Sequence, residues 1–241
     1  MTLTNPIIAK IRQVVRYFET SKVTGADYGA IAIFKDGPDH REQVTYGASQ
    51  TTEYGNLRTL ILMYIDAKGK YAKDFSSYMS WMGDRNRSSL ASSSSFLELL
   101  KQASADVIMQ TTQDRFFNIY YFNPARQWCE RNGLTLPLSM LVIYDSFVHS
   151  GSIMTFLRNK FAENVPAQGG DEKKWITAYV SARDSWLENN PTVLLQHTDY
   201  RTDSFLHAIQ QNNWMLDQPF VVVNYKTKDE TDKPVPQVNV V

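Results

Sequence analysis

The sequence predicts an α+β fold that is mainly helical and contains one small antiparallel sheet. Apolar side chains recur at helical spacing over most of the chain. Two short runs, residues 28–34 and 44–46, show strand-like patterns instead, and a turn rich in Asp, Gly and Pro separates them. Many helices with a single local pair of strands are typical of the α+β class.

Length and composition are those of an ordinary globular protein. The chain has 241 residues, of which 43% are hydrophobic and 21% charged, enough for one compact domain or two tightly packed lobes. We expect residues 1–225 to form one domain of two lobes and the polar, proline-containing residues 226–241 to form a tail or linker. The formal net charge is zero, so no global charge favours nucleic acid or an anionic membrane surface as a partner.

Several other classes of protein are excluded by missing signals. The amino-terminal segment lacks the apolar region and cleavage site of a signal peptide, and no apolar run approaches the length of a membrane span. We therefore expect synthesis in the cytoplasm, and any release to the cell wall or exterior would occur by lysis or by a signal-independent route. Cys129 is the single cysteine and is expected to be a small buried hydrophobe. Phosphate-binding, dinucleotide and metal-binding motifs are absent, so no cofactor is implied.

The first helix is defined by both its start and its apolar face. Thr4 and Asn5 precede Pro6, a common arrangement at a helix start. Apolar residues then recur at helical spacing as far as Phe18, so Glu19 is expected at the end of the helix. Apolar spacing and helix breakers predict further helices over residues 56–69, 71–82, 96–103, 105–132, 137–151, 153–161, 173–189 and 198–212.

The distribution of carboxylates around the first helix and the strand pair indicates a possible chemistry. Glu19 ends the helix, and the turn between the strands carries Asp36, Asp39 and Glu42. A carboxyl group on each side of a groove can cleave a glycosidic bond, one protonating the leaving oxygen and the other activating water. The residues alone leave open which turn carboxylate would act as the base.

The order of these parts resembles the catalytic segment of the family 46 glycoside hydrolases, the chitosanases, which share a lysozyme-like fold. The resemblance continues into TTEYGNL, residues 51–57, and has weaker echoes at residues 114–115 and 144–151. In chain order, its main parts are Glu19, Tyr28, Asp36-Gly37 and Thr45-Tyr46-Gly47. The resemblance implies two lobes with a cleft between them, a small sheet flanking that cleft, and an amino-sugar polysaccharide as substrate.

The resemblance also implies roles for individual residues. Glu19 would be the general acid, Asp36 the general base, and Thr45 would help to hold the attacking water. We infer an inverting mechanism, for which the two carboxyl groups stand about 6.5–9.5 Å apart. Asp39 and Glu42 remain alternative bases because the turn departs from the family pattern.

That departure is an apparent insertion, PDHREQV, at residues 38–44. It places Pro38 where the family usually has an arginine close after the aspartate, and Arg41 is a candidate to replace that arginine in space. Tyr28 matches a family position near the substrate, although bracing the strand is the simpler role for it. The altered turn also keeps open a non-catalytic glycan-binding module on the same fold.

Asn56 bears on the choice of substrate. Many chitosanases have an aspartate here that pairs with a glucosamine ammonium group, and an amide cannot supply that charge. An amide both donates and accepts hydrogen bonds, which suits N-acetyl or hydroxyl groups. Peptidoglycan glycan is therefore the alternative to a chitosan-type substrate, unless Asn56 merely caps or packs at the start of its helix.

A buried charge network is expected in the second half of the chain. Asp145 lies in a buried-looking helix, where an unpaired charge would be costly. The resemblance implies that an Asp–Arg network holds the catalytic acid, with Arg201 as the preferred partner of Asp145 and Arg115 as the alternative. His149 lies four residues after Asp145 and is expected to be a core histidine, because no nucleophile motif accompanies it.

Overall fold

A computed structural model of the chain describes residues 1, 3–22 and 24–223. Two compact units are present. Of the described residues, the terminal unit contains those in 1–18 and 121–223, and the middle unit contains those in 19–120. The predicted tail, residues 226–241, lies outside the described residues.

The prediction of a mainly helical α+β fold with a small antiparallel sheet is confirmed. Within the described ranges, the helices are α1 Asn5–Thr20, α2 Leu57–Asp66, α3 Ala72–Ser76, α4 Ser94–Ala103, α5 Val107–Phe117, α6 Asn123–Arg131, α7 Pro137–Ser150, α8 Thr155–Arg158, α9 Glu172–Glu188, α10 Val193–Gln196 and α11 Tyr200–Gln210. The strands are β1 Ile31–Phe34, β2 Gln43–Tyr46 and β3 Thr51–Thr52. No helix among the described residues is both long and apolar enough to cross a membrane.

The sheet belongs to the middle unit and has the strand order β1-β2-β3. The two predicted strands are present, although the first begins at Ile31 rather than at Tyr28 and the second already begins at Gln43. The third strand, Thr51–Thr52, was not predicted, because two residues are too few to show a periodic pattern.

The turn at the end of β2 explains why a glycine stands there. Gly47 has φ +86°, a left-handed conformation that favours glycine. A Cβ atom at this position would also collide with the side-chain amide of Gln113. That amide is fully buried and accepts a hydrogen bond from the backbone N–H of Ala48 at 3.0 Å. It also donates from Nε2 to the carbonyl oxygen of Tyr28 at 2.9 Å, so α5 holds the chain before β1 and after β2 at the open end of the antiparallel pair.

Aromatic contacts join α2, α3 and α4 in the core of the middle unit. The ring centroids are 5.8 Å apart for Tyr64 and Phe75, and 6.3 Å apart for Phe75 and Phe96, both nearly edge to face. Such pairs add to the hydrophobic gain from burying the rings. Serine at the amino cap of α4 accepts a hydrogen bond from the backbone N–H of Phe96 at 3.3 Å.

The predicted helix over residues 71–82 is much shorter in the structure, where only Ala72–Ser76 is helical. The hydroxyl of Ser76 bonds to the carbonyl of Ala72 at 2.9 Å, and that of Ser77 bonds to the carbonyl of Asp74 at 2.7 Å. Such side-chain bonds to the backbone compete with a continuing helix. Turns therefore replace the predicted second half of the helix.

Two other helix predictions differ from the structure in their extent. The helix predicted over residues 105–132 is interrupted by a π-helix at Asn118–Phe122, just before Pro124, which has no N–H to donate. The helix predicted over residues 153–161 is confined to Thr155–Arg158. Both differences shorten elements without changing the fold class.

The terminal unit is built around α7. The ten residues Pro137–Ser146 are all buried, as the apolar sequence after the proline predicted. α7 packs against α6 and α9. Cys129 on α6 is fully buried and unpaired, which confirms its predicted place in the core.

Candidate active site

The carboxyl end of α1 is held by α11 through the residue that precedes Glu19. The carbonyl oxygen of Phe18 accepts hydrogen bonds from the hydroxyl of Tyr200 at 2.8 Å and from Nη2 of Arg201 at 3.4 Å. The Phe18 ring also meets the rings of Tyr200 and Phe205, each at a centroid distance of 5.6 Å. The last carbonyls of a helix lack partners within it, so these contacts fix the final turn. Glu19 is half-buried in that turn.

The same arginine connects the end of α1 to a buried ion-pair network. Arg201 donates from Nη1 to Oδ1 of Asp145 at 2.9 Å, and Arg183 donates to Oδ2 at 2.7 Å. Asp145 is fully buried, and both arginine side chains are at most 5% exposed. Arg201 is the partner preferred from the sequence. The second partner is Arg183, which was not predicted. The prediction of Arg115 as the alternative partner of Asp145 is wrong.

The two arginines determine the ionisation of Asp145. Burial alone would raise the pKa of its carboxyl group, but the adjacent guanidinium groups of Arg183 and Arg201 outweigh that effect and hold the pKa below its ordinary value. Asp145 therefore remains a carboxylate and balances one of the two buried positive charges.

His149 stands beside this network on α7 and is half-buried. Burial lowers its pKa well below the ordinary value, and the positive charges of Arg201 and Arg183 lower it further. Its Nδ1 lies 3.2 Å from the hydroxyl of Ser150. A histidine in this environment stays neutral at pH 7, although its partial exposure places it at the edge of the core rather than within it.

Asp36 lies on the turn after β1, where its exposed carboxylate is oriented by a neighbouring amide. Gln43, which is buried, donates from Nε2 to Oδ1 of Asp36 at 2.9 Å. The other end of the same amide accepts a hydrogen bond from the backbone N–H of Tyr54 at 3.3 Å. Gly37 keeps this turn close, because a Cβ there would meet the carbonyl of Arg41 at 2.8 Å. Gln43 thus holds the Asp36 carboxylate, a contact that the sequence did not reveal.

The rival carboxylates of the same turn are not oriented in this way. Asp39 and Glu42 are exposed, and neither side chain forms a hydrogen bond or ion pair within the described part of the chain. Asp39 and His40 adopt left-handed conformations, with φ values of 55° and 58°. Of these three turn carboxylates, Asp36 is the one that a hydrogen bond holds within the described residues.

Thr45 is almost completely buried, at 3% exposure, in the middle strand of the sheet. Its hydroxyl oxygen lies 2.6 Å from Oε1 of Gln50 and 3.2 Å from the carbonyl oxygen of Ala32. Both neighbours are acceptors, so the single hydroxyl hydrogen is used within the protein. Thr45 can therefore accept a hydrogen bond from a water molecule but has no hydrogen left to donate to it.

Three residues predicted to contact substrate have structural contacts of their own. Tyr28 donates from its hydroxyl to Oδ2 of Asp114 at 3.0 Å, which braces the start of the ribbon. Arg41 donates from Nη1 to the carbonyl of Arg85 at 2.6 Å. Within the described residues it makes no hydrogen bond or ion pair with Asp36, so it does not take the place of the arginine that the family usually has there. Asn56 occupies the amino-cap position of α2, but its side chain makes no capping bond.

Glu53 is a buried acid that the sequence did not single out. It is 1% exposed and accepts hydrogen bonds from the hydroxyl of Ser89 at 2.6 Å and the N–H of Leu90 at 2.8 Å. A longer bond of 3.4 Å comes from the N–H of Val44. This carboxylate ties β2 to the turn that precedes α4. Nothing in its local sequence, TTEYG, distinguishes it from an exposed loop residue.

Within residues 1, 3–22 and 24–223, no group of three or more His, Cys, Asp or Glu side chains is arranged to hold a metal ion.

Comparison with known proteins gives concordant results. Residues 13–220 match Glycosyl hydrolase family 46. The chitosanase of Bacillus subtilis (strain 168) is 23% identical over 226 residues, which cover 88% of this chain and 80% of the relative. A Gynuella sunshinyii chitosanase in complex with chitotetraose has a TM-score of 0.75 and 18% identity, covering 98% of this chain and 99% of that one. A mutant chitosanase from Bacillus subtilis MY002 complexed with 6 GlcN has a TM-score of 0.76 and 21% identity, with coverages of 98% and 100%.

Proposed function

We propose, from the premise that this chain belongs to glycosyl hydrolase family 46, that it cleaves a β-1,4-linked amino-sugar polymer of the chitosan type at internal bonds. Membership of the family makes the chain a glycoside hydrolase. The curated relative and the structural neighbours named above are chitosanases, and two of those neighbours contain chitotetraose or 6 GlcN. These relatives support the choice of substrate class.

The proposed reaction is a single displacement with inversion at the anomeric carbon. Glu19 donates a proton to the leaving oxygen, and Asp36 removes a proton from the water that attacks the opposite face of the sugar. Thr45 accepts a hydrogen bond from that water. The observation that carries the proposal is the fixed end of α1, where Tyr200 and Arg201 hold the carbonyl next to Glu19. An acid must be held in place to protonate one particular oxygen.

The Asp145 network contributes to this site through position rather than by touching the substrate. Asp145 orients the guanidinium of Arg201, whose other nitrogen holds the Phe18 carbonyl. The Arg201 guanidinium carbon also lies 5.3 Å from the centre of the Phe18 ring, a cation–π arrangement. We infer that this chain of contacts keeps Glu19 in register with the bond to be cleaved.

Peptidoglycan glycan is the second candidate substrate, and Asn56 is the observation that favours it. An amide at this position matches N-acetylated sugars better than the ammonium groups of glucosamine. If the chain is instead a non-catalytic glycan-binding module, neither polymer will be cleaved.

The test is the release of reducing ends from chitosan, chitin oligomers and purified cell-wall sacculi. We expect cleavage of chitosan by the wild type and a loss of at least about a hundredfold in kcat for Glu19→Gln, with the fold retained. Glu130→Gln, an exposed change of the same chemistry, serves as the matched control. NMR of the first product should show the α anomer, as inversion requires. Normal cleavage by Glu19→Gln would show that the acid is wrongly assigned, and cleavage of sacculi alone would favour the second substrate.

A further inference from the structure

The middle unit contains a groove that the proposed reaction does not use. It lies between α3 with the turns that follow it and α4, and its volume is about 550 Å³. Small-molecule sites in proteins usually span about 300–1,000 Å³. The lining residues do not include Glu19, Asp36 or Thr45. The polar and aromatic groups of this α3–α4 groove include Tyr71, Asp74, Tyr78, Ser95, Glu98 and Gln102.

The aromatic wall of the α3–α4 groove is held by packing beneath it. The ring of Tyr78 packs against that of Phe96 at a centroid distance of 5.0 Å, and Phe96 is fully buried. The hydroxyl of Tyr78 lies 3.0 Å from that of Ser95, which in turn lies 3.2 Å from the hydroxyl of Ser93. A ring held at both ends presents a fixed face at little entropic cost on binding.

The charge of the groove is negative. Asp74 and Glu98 are both exposed, and neither carboxylate has an ion-pair partner in the described ranges of the chain. Glu98 accepts one hydrogen bond from Nε2 of Gln102 at 3.0 Å. Lys70 places its ammonium group 5.0 Å from the centre of the Tyr71 ring, at one side of the groove, and pairs with neither carboxylate. Exposed carboxylates can pair with the ammonium groups of a ligand, and the neighbouring tyrosine rings can pack against the face of its hydroxylated ring.

We propose that the α3–α4 groove is a second binding site for the cationic amino-sugar polymer, an inference that rests on the proposed function. In this site Asp74 and Glu98 pair with glucosamine ammonium groups. Tyr78 packs its ring against the C–H face of a pyranose, as aromatic side chains do with flat apolar surfaces. Neighbouring hydroxyl and amide groups bond to the sugar hydroxyls.

A second site would act on long chains in particular. When one polymer molecule engages two sites, the second contact is intramolecular and raises the overall affinity through effective concentration. An oligomer too short to engage both sites gains nothing from the groove. The groove would therefore lower KM for the polymer while leaving kcat, and the rate on short oligomers, unchanged.

The test compares two double variants that lose the same charge. The groove variant is Asp74→Asn with Glu98→Gln, and the control is Asp66→Asn with Glu130→Gln, all at exposed positions. Binding to cross-linked chitosan beads is measured by depletion from solution, and hydrolysis is measured on chitosan and on glucosamine tetramer. We expect the groove variant to bind the beads roughly three- to tenfold more weakly and to show a similar rise in KM on chitosan. The control should stay within about twofold of the wild type.

The outcomes separate the two proposals. Bead binding by the groove variant equal to that of the control would overturn the second site, even if chitosan is hydrolysed normally. A wild type that fails to hydrolyse chitosan but binds the beads through Asp74 and Glu98 would instead refute the proposed function and support the groove. An equal loss on tetramer and polymer would also count against the second site, because it would place the two carboxylates in the catalytic machinery.

Discussion

Replacing Asp145 with asparagine tests the buried network that holds the end of α1. The substitution keeps the volume of the side chain but removes the negative charge that contacts both Arg183, at 2.7 Å, and Arg201, at 2.9 Å. Both guanidinium groups would stay buried, and each would lose the charged contact that it makes with Asp145. Removing one partner from a buried ion pair typically costs about 3–5 kcal/mol.

The expected effect is large enough to measure directly. Because the three residues all belong to the terminal unit, we expect Asp145→Asn to lower the free energy of unfolding of that unit by about 3–5 kcal/mol. For a protein of this size, about 1 kcal/mol corresponds to about 2–4 °C, so Tm should fall by about 6–20 °C. Urea denaturation and calorimetry provide the two measurements. Glu188→Gln, an exposed change in the same unit, should stay within about 0.5 kcal/mol of the wild type.

The pH dependence provides a second check on the same reasoning. The pKa of Asp145 is lowered in the folded state, since the pull of the two arginines exceeds the effect of burial. Its stabilising contribution is therefore complete above the ordinary value of 3.8 and is lost as the pH falls through the folded-state pKa. The difference in stability between wild type and Asp145→Asn should narrow below about pH 4. A loss under about 1 kcal/mol at pH 7, or a gap that widens in acid, would refute the account.

Two further predictions concern Gln43 and His149. Gln43→Glu would place a second carboxylate against Asp36, so we expect the acidic limb of the kcat/KM–pH profile to move to higher pH by about one pH unit or more. Gln43→Met should lower kcat without that shift. An unchanged profile in Gln43→Glu would remove Asp36 as the base. Burial and the nearby arginines lower the pKa of His149 in the folded protein. As the pH falls, this histidine is therefore protonated in the unfolded chain before it is protonated in the folded one. The free energy of unfolding should then decrease below about pH 6.5, by up to about 1.4 kcal/mol per pH unit. Urea denaturation from pH 7 to 5.5 should show this slope in the wild type and a flatter one in His149→Gln.

The elements predicted most accurately from the sequence are those whose signals are local. The apolar face of α1 and the buried run of α7 each define a helix without help from distant residues. The helix predicted over residues 71–82 failed because the pattern of apolar residues does not record the serine hydroxyls that bond to the backbone. Two-residue β3 carries no periodic signal at all.

The site was predictable in its types of residue but not in all of its partners. A charge at Asp145 in an apolar helix requires a cation, and the family resemblance pointed to Arg201. The contact of Arg183 with Asp145 depends on which face of α9 meets α7, and these two residues are 38 positions apart in the chain. The hydrogen bonds of Glu53 with Ser89 and Leu90 likewise could not be predicted from their spacing in the sequence. Such contacts are set by packing between elements, which a single sequence does not specify.

The inserted segment of the β1–β2 turn raises the question of whether Asp36 can still occupy the position of a base. In the ladder, Phe34 pairs with Gln43, so the residues between them form a loop closed by a normal pair of strand residues. Left-handed backbone at Asp39 and His40 accommodates the extra length within that loop. A slip of one residue would have turned Thr45 to the opposite face of the sheet. With this register, Asp36 lies two residues past the ladder and within hydrogen-bond reach of Gln43, so the long turn leaves the proposed base next to the sheet.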